Sequence, residues 1–239
     1  MYDFIIIGGG TSGLSAGMYA SRLGLKTLIL AEMPGGLITT THIVENWPGI
    51  KSITGPDLGM ALYEHAKASG TEIKNEVAKR VERGDRAGAG TKLKIKAKAS
   101  REALAFKITT DSNVYEGKSI LFATGTVHKN LGVPGEKEFE NKGVSYCALC
   151  DGGFFKNKTV CMVGGGDSAV KEALFLSEHA SKVYLVVRKD ILRAEPINAE
   201  RLKNNKKIEV LFKTQIEEII GGTKVEKIKF KEGEGKFSG

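Results

Sequence analysis

Ile5-Ile6-Ile7-Gly8-Gly9-Gly10-Thr11-Ser12-Gly13 stands at the head of the chain, and its reading decides the fold. An apolar β-branched run enters a glycine turn, and a helical pattern follows. The first glycine permits the tight turn, the second lets backbone approach a diphosphate, and the third packs helix against strand. The amides at the helix start then face the phosphates. The pattern returns as Val160-Cys161-Met162-Val163-Gly164-Gly165-Gly166-Asp167-Ser168-Ala169, with alanine in the third place. With 30 glycines in 239 residues, one match is weak. Two matches, each between a strand and a helix, are an internal repeat of a dinucleotide-binding βαβ unit. The phosphate-facing candidates are Gly8, Gly10, Thr11, Ser12 and Gly13 in the first unit. In the second they are Gly164, Gly166, Asp167, Ser168 and Ala169.

The two units differ at the end of the next strand. Glu32 follows Gly8, and Arg188 follows Gly164, at the same offset along the chain. An acid there accepts hydrogen bonds from ribose hydroxyls, whereas an arginine accommodates a 2′-phosphate. Lys189 and Arg193 thicken the positive patch of the second unit, and a guanidinium fork suits phosphate oxygens. The first site is therefore expected to hold FAD and the second NADPH. The competing reading is solvated surface charge on a basic chain.

Between the cradles lies Cys147-Ala148-Leu149-Cys150-Asp151. Two dinucleotides and one dithiol suggest an electron relay. A zinc half-site and a pair of inert thiols are the rival readings. Zinc wants four ligands, and only Cys161 remains beyond the pair. His42, His65, His128 and His179 show no paired spacing, so no metal is expected. Cys161 falls in a strand and reads as core packing. His128 reads as a surface histidine, and Trp47 as a packing anchor of its loop.

Composition is that of an ordinary globular chain, 41% hydrophobic and 27% charged. No apolar stretch approaches the ~18 residues of a membrane span, and no signal peptide is expected before Tyr2-Asp3. Three cysteines suit a reducing, cytoplasmic setting rather than a disulfide scaffold. The net charge of +8 comes without a basic run interleaved with aromatics, which argues against nucleic acid. It suits phosphate binding and the steering of an acidic protein partner.

The pattern predicts strands at 3–7 and 26–31 around a helix at 13–23, then a helix from Gly55 to Ser69 stopped by Gly70. Residues 73–83 and 91–116 alternate as strands about a turn at 84–90, and Ile120–Gly125 reads as a strand ending in a glycine turn. In the second unit strands are expected at 158–163 and 182–187, helices at 167–178 and 195–205, and strands within 207–230. The tail at 232–239 reads as a turn or frayed end. The fold class is α/β, with two Rossmann-like βαβ domains. Residues 1–125 are assigned to FAD, and residues 126–239, carrying the Cys-x-x-Cys, to NADPH.

The ordered motifs resemble the low-molecular-weight thioredoxin reductases of the pyridine nucleotide–disulfide oxidoreductase superfamily. Beyond the two cradles, the matching stretches are Pro34-Gly35-Gly36, Val44-Glu45-Asn46-Trp47-Pro48-Gly49 and Ala123-Thr124-Gly125. Val133-Pro134-Gly135-Glu136, Cys147–Asp151 and Val187-Arg188-Lys189-Asp190 with Arg193 complete the set. The resemblance implies FAD contacts from Gly35, Gly36, Leu37, Asn46, Thr124 and Gly125, and 2′-phosphate ligands in Arg188, Lys189 and Arg193. It implies that Cys150 receives electrons from the flavin, that Cys147 attacks thioredoxin, and that Asp151 is the acid/base. It further implies a homodimer whose two domains rotate between half-reactions.

Departures from the family pattern are Leu37 in place of a glutamine, Lys189 in place of an arginine, and Ala31 where the acid usually stands. Family members also return to complete the FAD domain with a further segment. Here that segment is expected to be missing, so the chain reads as a shortened form. Two further readings stand beside thioredoxin reduction. One keeps both nucleotides and serves a peroxiredoxin or glutaredoxin-like acceptor; the other is a non-catalytic nucleotide-binding sensor.

Overall fold

Alternation along β1 (Tyr2–Ile7) sends Ile5 and Ile7 to one face of a sheet and Ile6 to the other, all three buried. Burying each such side chain contributes about 1.5–3 kcal/mol, which makes this strand the natural centre. The structure, a computed structural model, describes residues 1–83 and 106–231. The expected turn at 84–90, the first part of the strand expected at 91–116, and the tail at 232–239 lie outside the described residues. The chain divides into two units, Met1–Thr126 and Val127–Gly239.

In the first unit α1 (Thr11–Arg22) and β2 (Thr27–Leu30) follow β1. A 3-10 turn (Gly36–Thr40) leads to a small ribbon of β3 (Ile43–Val44) and β4 (Ile53–Thr54). Then come α2 (Gly55–Ala68), β5 (Glu72–Lys74), β6 (Arg80–Arg83), β7 (Phe106–Thr109) and β8 (Val114–Phe122). The sheet order is β5-β2-β1-β8-β7-β6, parallel from β5 to β8 and antiparallel beyond. Ile5, Ile7, Leu28 and Leu30 meet Ile108 on one face; Ile6 and Ile29 meet Leu14 and Ala66 of the helices on the other. The start of α2 is fixed by Thr54, whose hydroxyl accepts the Asp57 N–H at 3.1 Å and donates to its carboxylate at 2.6 Å. Loss of such a cap costs about 1 kcal/mol.

In the second unit α3 (Ala148–Asp151) runs into a 3-10 turn (Gly152–Phe155) and then β9 (Thr159–Val163). There follow α4 (Asp167–His179), β10 (Lys182–Val187), α5 (Pro196–Lys203), β11 (Ile208–Phe212), and a hairpin of β12 (Ile216–Gly221) and β13 (Val225–Phe230). Strands β11-β10-β9 form a parallel sheet. Val170, Ala173 and Leu176 of α4 pack against Val183, Leu185 and Val187. Phe139, Ile216 and Ile219 form a second cluster, against which Cys161 packs as expected.

Two strand expectations are corrected. The strand expected at 73–83 breaks between Lys74 and Arg80, because side chains replace the ladder there. The Glu76 carboxylate accepts from the Thr110 and Tyr115 hydroxyls at 2.6 and 2.7 Å and from the Asn113 amide at 2.9 Å. The strand expected at 91–116 turns between Thr109 and Val114, and β8 then runs without a break through Gly117-Lys118-Ser119, the gap left between that strand and the one expected from Ile120. Pairing of Gly117 with Tyr2 and of Ser119 with Phe4 carries the strand through, and Lys118 reaches Asp3 at 2.6 Å. Among the described residues no helix is long and apolar enough to cross a membrane.

Candidate functional site

The first cradle lies where β1, β2 and β8 end, the place where parallel sheets take ligands. Gly8 has φ +111, a conformation open to glycine, and its N–H donates to Leu30 O at 2.8 Å. A Cβ at Gly13 would strike the Gly8 carbonyl, so the helix can sit this close only with glycine there. A Cβ at Gly8 would in turn strike the Ala123 carbonyl, which places Thr124 and Gly125 beside the turn. Gly35 donates its N–H to Gly9 O at 2.8 Å, and a Cβ at Gly36 would stand 2.6 Å from Gly10 Cα. Gly10 caps α1 without any side-chain hydrogen bond, and the first turn holds no acid. Its leading amides are thus left to an anionic ligand.

Glu32 is exposed just past β2. With its amide nitrogen turned toward that strand end, Asn75 donates to the carbonyls of Ala31 and Glu32 at 2.9 and 2.6 Å. Asn75 thereby fixes the backbone of the ribose-reading position, a role that nothing in its local sequence signals. Leu37 sits in the 3-10 turn with its carbonyl accepting from Thr40, and Asn46 is exposed between β3 and β4.

The second cradle repeats the arrangement at the end of β9. Gly164 takes φ +145, its N–H donates to Val186 O at 3.0 Å, and Gly166 caps α4 without a side-chain bond. Ser168 is exposed at the helix start and Ala169 is buried. Asp167 turns away from the helix amides. Its carboxylate accepts the Glu195 N–H at 3.1 Å and the Asn198 amide at 2.9 Å, and pairs with Lys171 at 3.2 Å. Burial opposes ionisation, but these donors hold the Asp167 carboxyl below its usual range. Arg188, Lys189 and Arg193 are exposed beyond β10. The Arg193 N–H donates to Gly165 O at 2.7 Å, which brings that guanidinium's backbone onto the cradle itself. Among the described residues no carboxylate stands in ion-pair range of these three cations. Both cradles therefore fit the diphosphate of a dinucleotide, and the free cations of the second fit an additional phosphate.

The dithiol is closed as a disulfide between Cys147 and Cys150, with the Cα atoms 5.3 Å apart. Cys147 is half-buried at the start of α3 and Cys150 is exposed. The Cys150 N–H points at Cys147 Sγ, 3.1 Å away, and a donor there favours a thiolate on that sulfur once the bond opens. Asp151 follows at once, its N–H on Cys147 O at 3.1 Å.

Three residues around the pair carry no signal in their spacing. The Ser145 hydroxyl donates to Asp151 Oδ2 at 2.6 Å and accepts the Cys147 N–H at 3.2 Å. The Tyr146 hydroxyl donates to Glu136 Oε1 at 3.2 Å, and Glu136, 3% exposed, also accepts the N–H groups of Leu131 and Gly132 at 2.8 and 2.7 Å. Burial, then the Glu136 charge, raises the Tyr146 hydroxyl above its ordinary value. Only a polar residue flanking the Cys-x-x-Cys could have pointed to Ser145. Nearby, a cavity of about 360 Å³ is bordered by β9, Glu172 of α4 and the β12–β13 hairpin. Burial pushes the Cys161 thiol there up to about 12, which keeps it a neutral packing group. Burial also raises the Glu172 carboxyl.

The chain is 42% identical over 220 residues to the thioredoxin reductase of Bacillus subtilis, covering 92% of itself and 64% of that protein. It is likewise 42% identical over 225 residues to the thioredoxin reductase of Helicobacter pylori, covering 92% of itself and 67% of the relative. It thus spans about two thirds of the length of these relatives. Among solved structures, Lactococcus lactis thioredoxin reductase superposes with a TM-score of 0.86 at 36% identity, over 97% of this chain and 71% of that one. T. acidophilum thioredoxin reductase gives 0.83 at 33% identity, over 96% and 70%. The family model for pyridine nucleotide-disulphide oxidoreductases matches residues 2–237, and to that family the chain belongs.

Proposed function

We propose that the chain carries the machinery of an NADPH-dependent thioredoxin-disulfide reductase, with FAD in the first cradle and NADPH in the second. The observation that carries this reading is the Cys147–Cys150 pair, flanked by Ser145 and Asp151, in the unit that also holds the exposed cations Arg188, Lys189 and Arg193. The thioredoxin reductases to which the chain is similar support the choice of acceptor. The opposite charges of Glu32 and Arg188 support the division of nucleotides.

Bound FAD and NADPH supply the electron pair that opens the Cys147–Cys150 bond. Cys147 Sγ, as the thiolate, then attacks one sulfur of the acceptor disulfide; a new S–S bond forms, the acceptor bond breaks, and the second acceptor sulfur leaves with the electron pair. Asp151 gives that sulfur its proton. Cys150 attacks Cys147 Sγ next, restoring the Cys147–Cys150 bond and releasing the first acceptor sulfur, which is protonated from water. The net result is one disulfide reduced to two thiols for one NADPH oxidised. Glu136 and Tyr146 hold the start of the redox turn against the 131–132 loop throughout. The reading extends to a cytoplasmic homodimer, which the family resemblance alone supports.

Flavin absorbance tests it. The chain loaded with FAD is expected to bleach on adding NADPH and to recover on adding oxidised thioredoxin, with two thioredoxin thiols appearing per NADPH consumed. Bleaching without recovery would leave the acceptor misassigned, and no bleaching would contradict the relay.

A further inference from the structure

We propose that Ser145 is a positioning residue of the dithiol site, holding the Asp151 carboxyl group in place as proton donor to the sulfur that leaves when Cys147 attacks. The proposal rests on the reading of Cys147 and Cys150 as the redox pair. Ser145 lies two residues before Cys147 and makes three contacts inside one turn of chain. Its hydroxyl is 2.6 Å from Asp151 Oδ2, 3.4 Å from Cys147 O, and 3.2 Å from the Cys147 nitrogen, whose N–H it accepts. A hydroxyl has one hydrogen to give. The shortest of the three contacts, to Asp151 Oδ2, takes it, and the longer approach to Cys147 O is left as the weaker one. Ser145 therefore grips the backbone of one cysteine and the side chain of the residue after the other.

Asp151 needs that grip. Its backbone is fixed by its N–H on Cys147 O, yet its side chain is half-exposed, and among the described residues Ser145 is what holds its carboxyl group. An unheld aspartate distributes over three χ1 wells. Restricting it to one removes an ordering cost that would otherwise fall on the transition state. In the exchange step a bond forms between Cys147 Sγ and one sulfur of the incoming disulfide. The bond between the two incoming sulfurs breaks, and the departing sulfur keeps the electron pair. It takes the proton of the Asp151 carboxyl, which water replaces. Ser145 itself gains and loses nothing.

The test uses the whole chain, reduced with a phosphine that is then removed, so no nucleotide is required. Two disulfides probe it: bis(2-hydroxyethyl) disulfide, whose alkyl thiolate needs a proton to leave well, and 5,5′-dithiobis(2-nitrobenzoate), whose aromatic thiolate does not. Ser145→Ala is expected to slow reaction with the alkyl disulfide about tenfold while changing the aromatic rate less than about twofold, within the range of general-acid contributions. Ser145→Thr, which keeps the hydroxyl, should restore the alkyl rate. Asp151→Asn should show the same selective loss, and combining it with Ser145→Ala should add little. Equal alkyl rates in wild type and Ser145→Ala would overturn the proposal. So would loss of both rates together, or of the fold, since that is what a purely structural serine predicts. Because reduction here is chemical, failure of the NADPH and thioredoxin reading would show separately, as absent turnover with intact probe selectivity.

Discussion

In the first unit the carbonyl of Gly9 receives the N–H of Gly35 at 2.8 Å; in the second the carbonyl of Gly165 receives the N–H of Arg193 at 2.7 Å. Each contact belongs to a parallel bridge, Gly10 with Gly35 and Gly166 with Arg193. The chain leaving the second strand is thus clasped onto the glycine turn in the same way twice. What differs is the side chain brought to the clasp. Gly35, at φ +95, contributes none, and Gly36 packs backbone to backbone against Gly10. Arg193 brings a guanidinium to the equivalent place, with Arg188 nearby in sequence. The repeated backbone sets where a diphosphate can lie, and the side chains at the clasp and strand end set which nucleotide follows. The same contrast runs along the helices: where α1 has Thr11, Gly13 and Ala16, α4 has Asp167, Ala169 and Glu172 at the matching positions.

The third cradle position offers the sharpest way to break that comparison. Gly13→Ala forces a Cβ into the Gly8 carbonyl, whereas Ala169 already carries its own. Gly13→Ala is expected to cost about 3 kcal/mol or more, the upper range for overpacking, because backbone has to move. Ala169→Gly should cost only about 1–2 kcal/mol, from helix propensity and a lost methyl. Urea unfolding of the two variants checks this, and equal losses would show that the cradles are packed alike.

A smaller effect separates Thr11 from Asp167. Because the Asp167 carboxyl is held below its usual value of 3.8, it contributes stability that is complete above that value and is lost as pH falls through the depressed one. Asp167→Asn should therefore destabilise by about 1 kcal/mol at neutral pH, the bonds being partly solvated. The difference should vanish in acid. Thermal unfolding of both proteins from neutral to strongly acidic pH checks it; a constant difference would exclude the charge as the cause. Smallest is the change at Glu172. Burial raises its carboxyl above 4.5, so its ionised form opposes folding. Glu172→Gln should raise the unfolding midpoint slightly at neutral pH, and the gain should fade as pH drops to 4.5. A lower midpoint would mean that the charge is compensated within its cavity.

How much of this was legible in advance depended on where the information lies. Both cradles, the central Ile5-Ile6-Ile7 strand and the helices α1, α2, α4 and α5 follow from periodicity and glycine spacing, which are local. Glu76 was illegible as a strand breaker, since its partners Thr110, Asn113 and Tyr115 arrive from far along the chain. Gly117-Lys118-Ser119 fell between two expected strands and is part of one, because pairing with β1 carries β8 through. At the site, the Cys-x-x-Cys and the inverted charges could be read from spacing. The grips on them, Asn75 behind Glu32 and Ser145 behind Asp151, are polar residues of common type, made specific only by hydrogen bonds that tertiary structure creates.

The claim that side-chain charge on a repeated backbone divides the nucleotides is tested most directly by equilibrium titration of the chain with NADPH and with NADH. NADPH is expected to bind at least about tenfold more tightly, the worth of a charge-assisted contact to its extra phosphate. Arg188→Ala with Arg193→Ala should remove that preference while leaving NADH affinity unchanged. Equal affinities in the unmodified chain, or a preference that survives the loss of both arginines, would contradict the account.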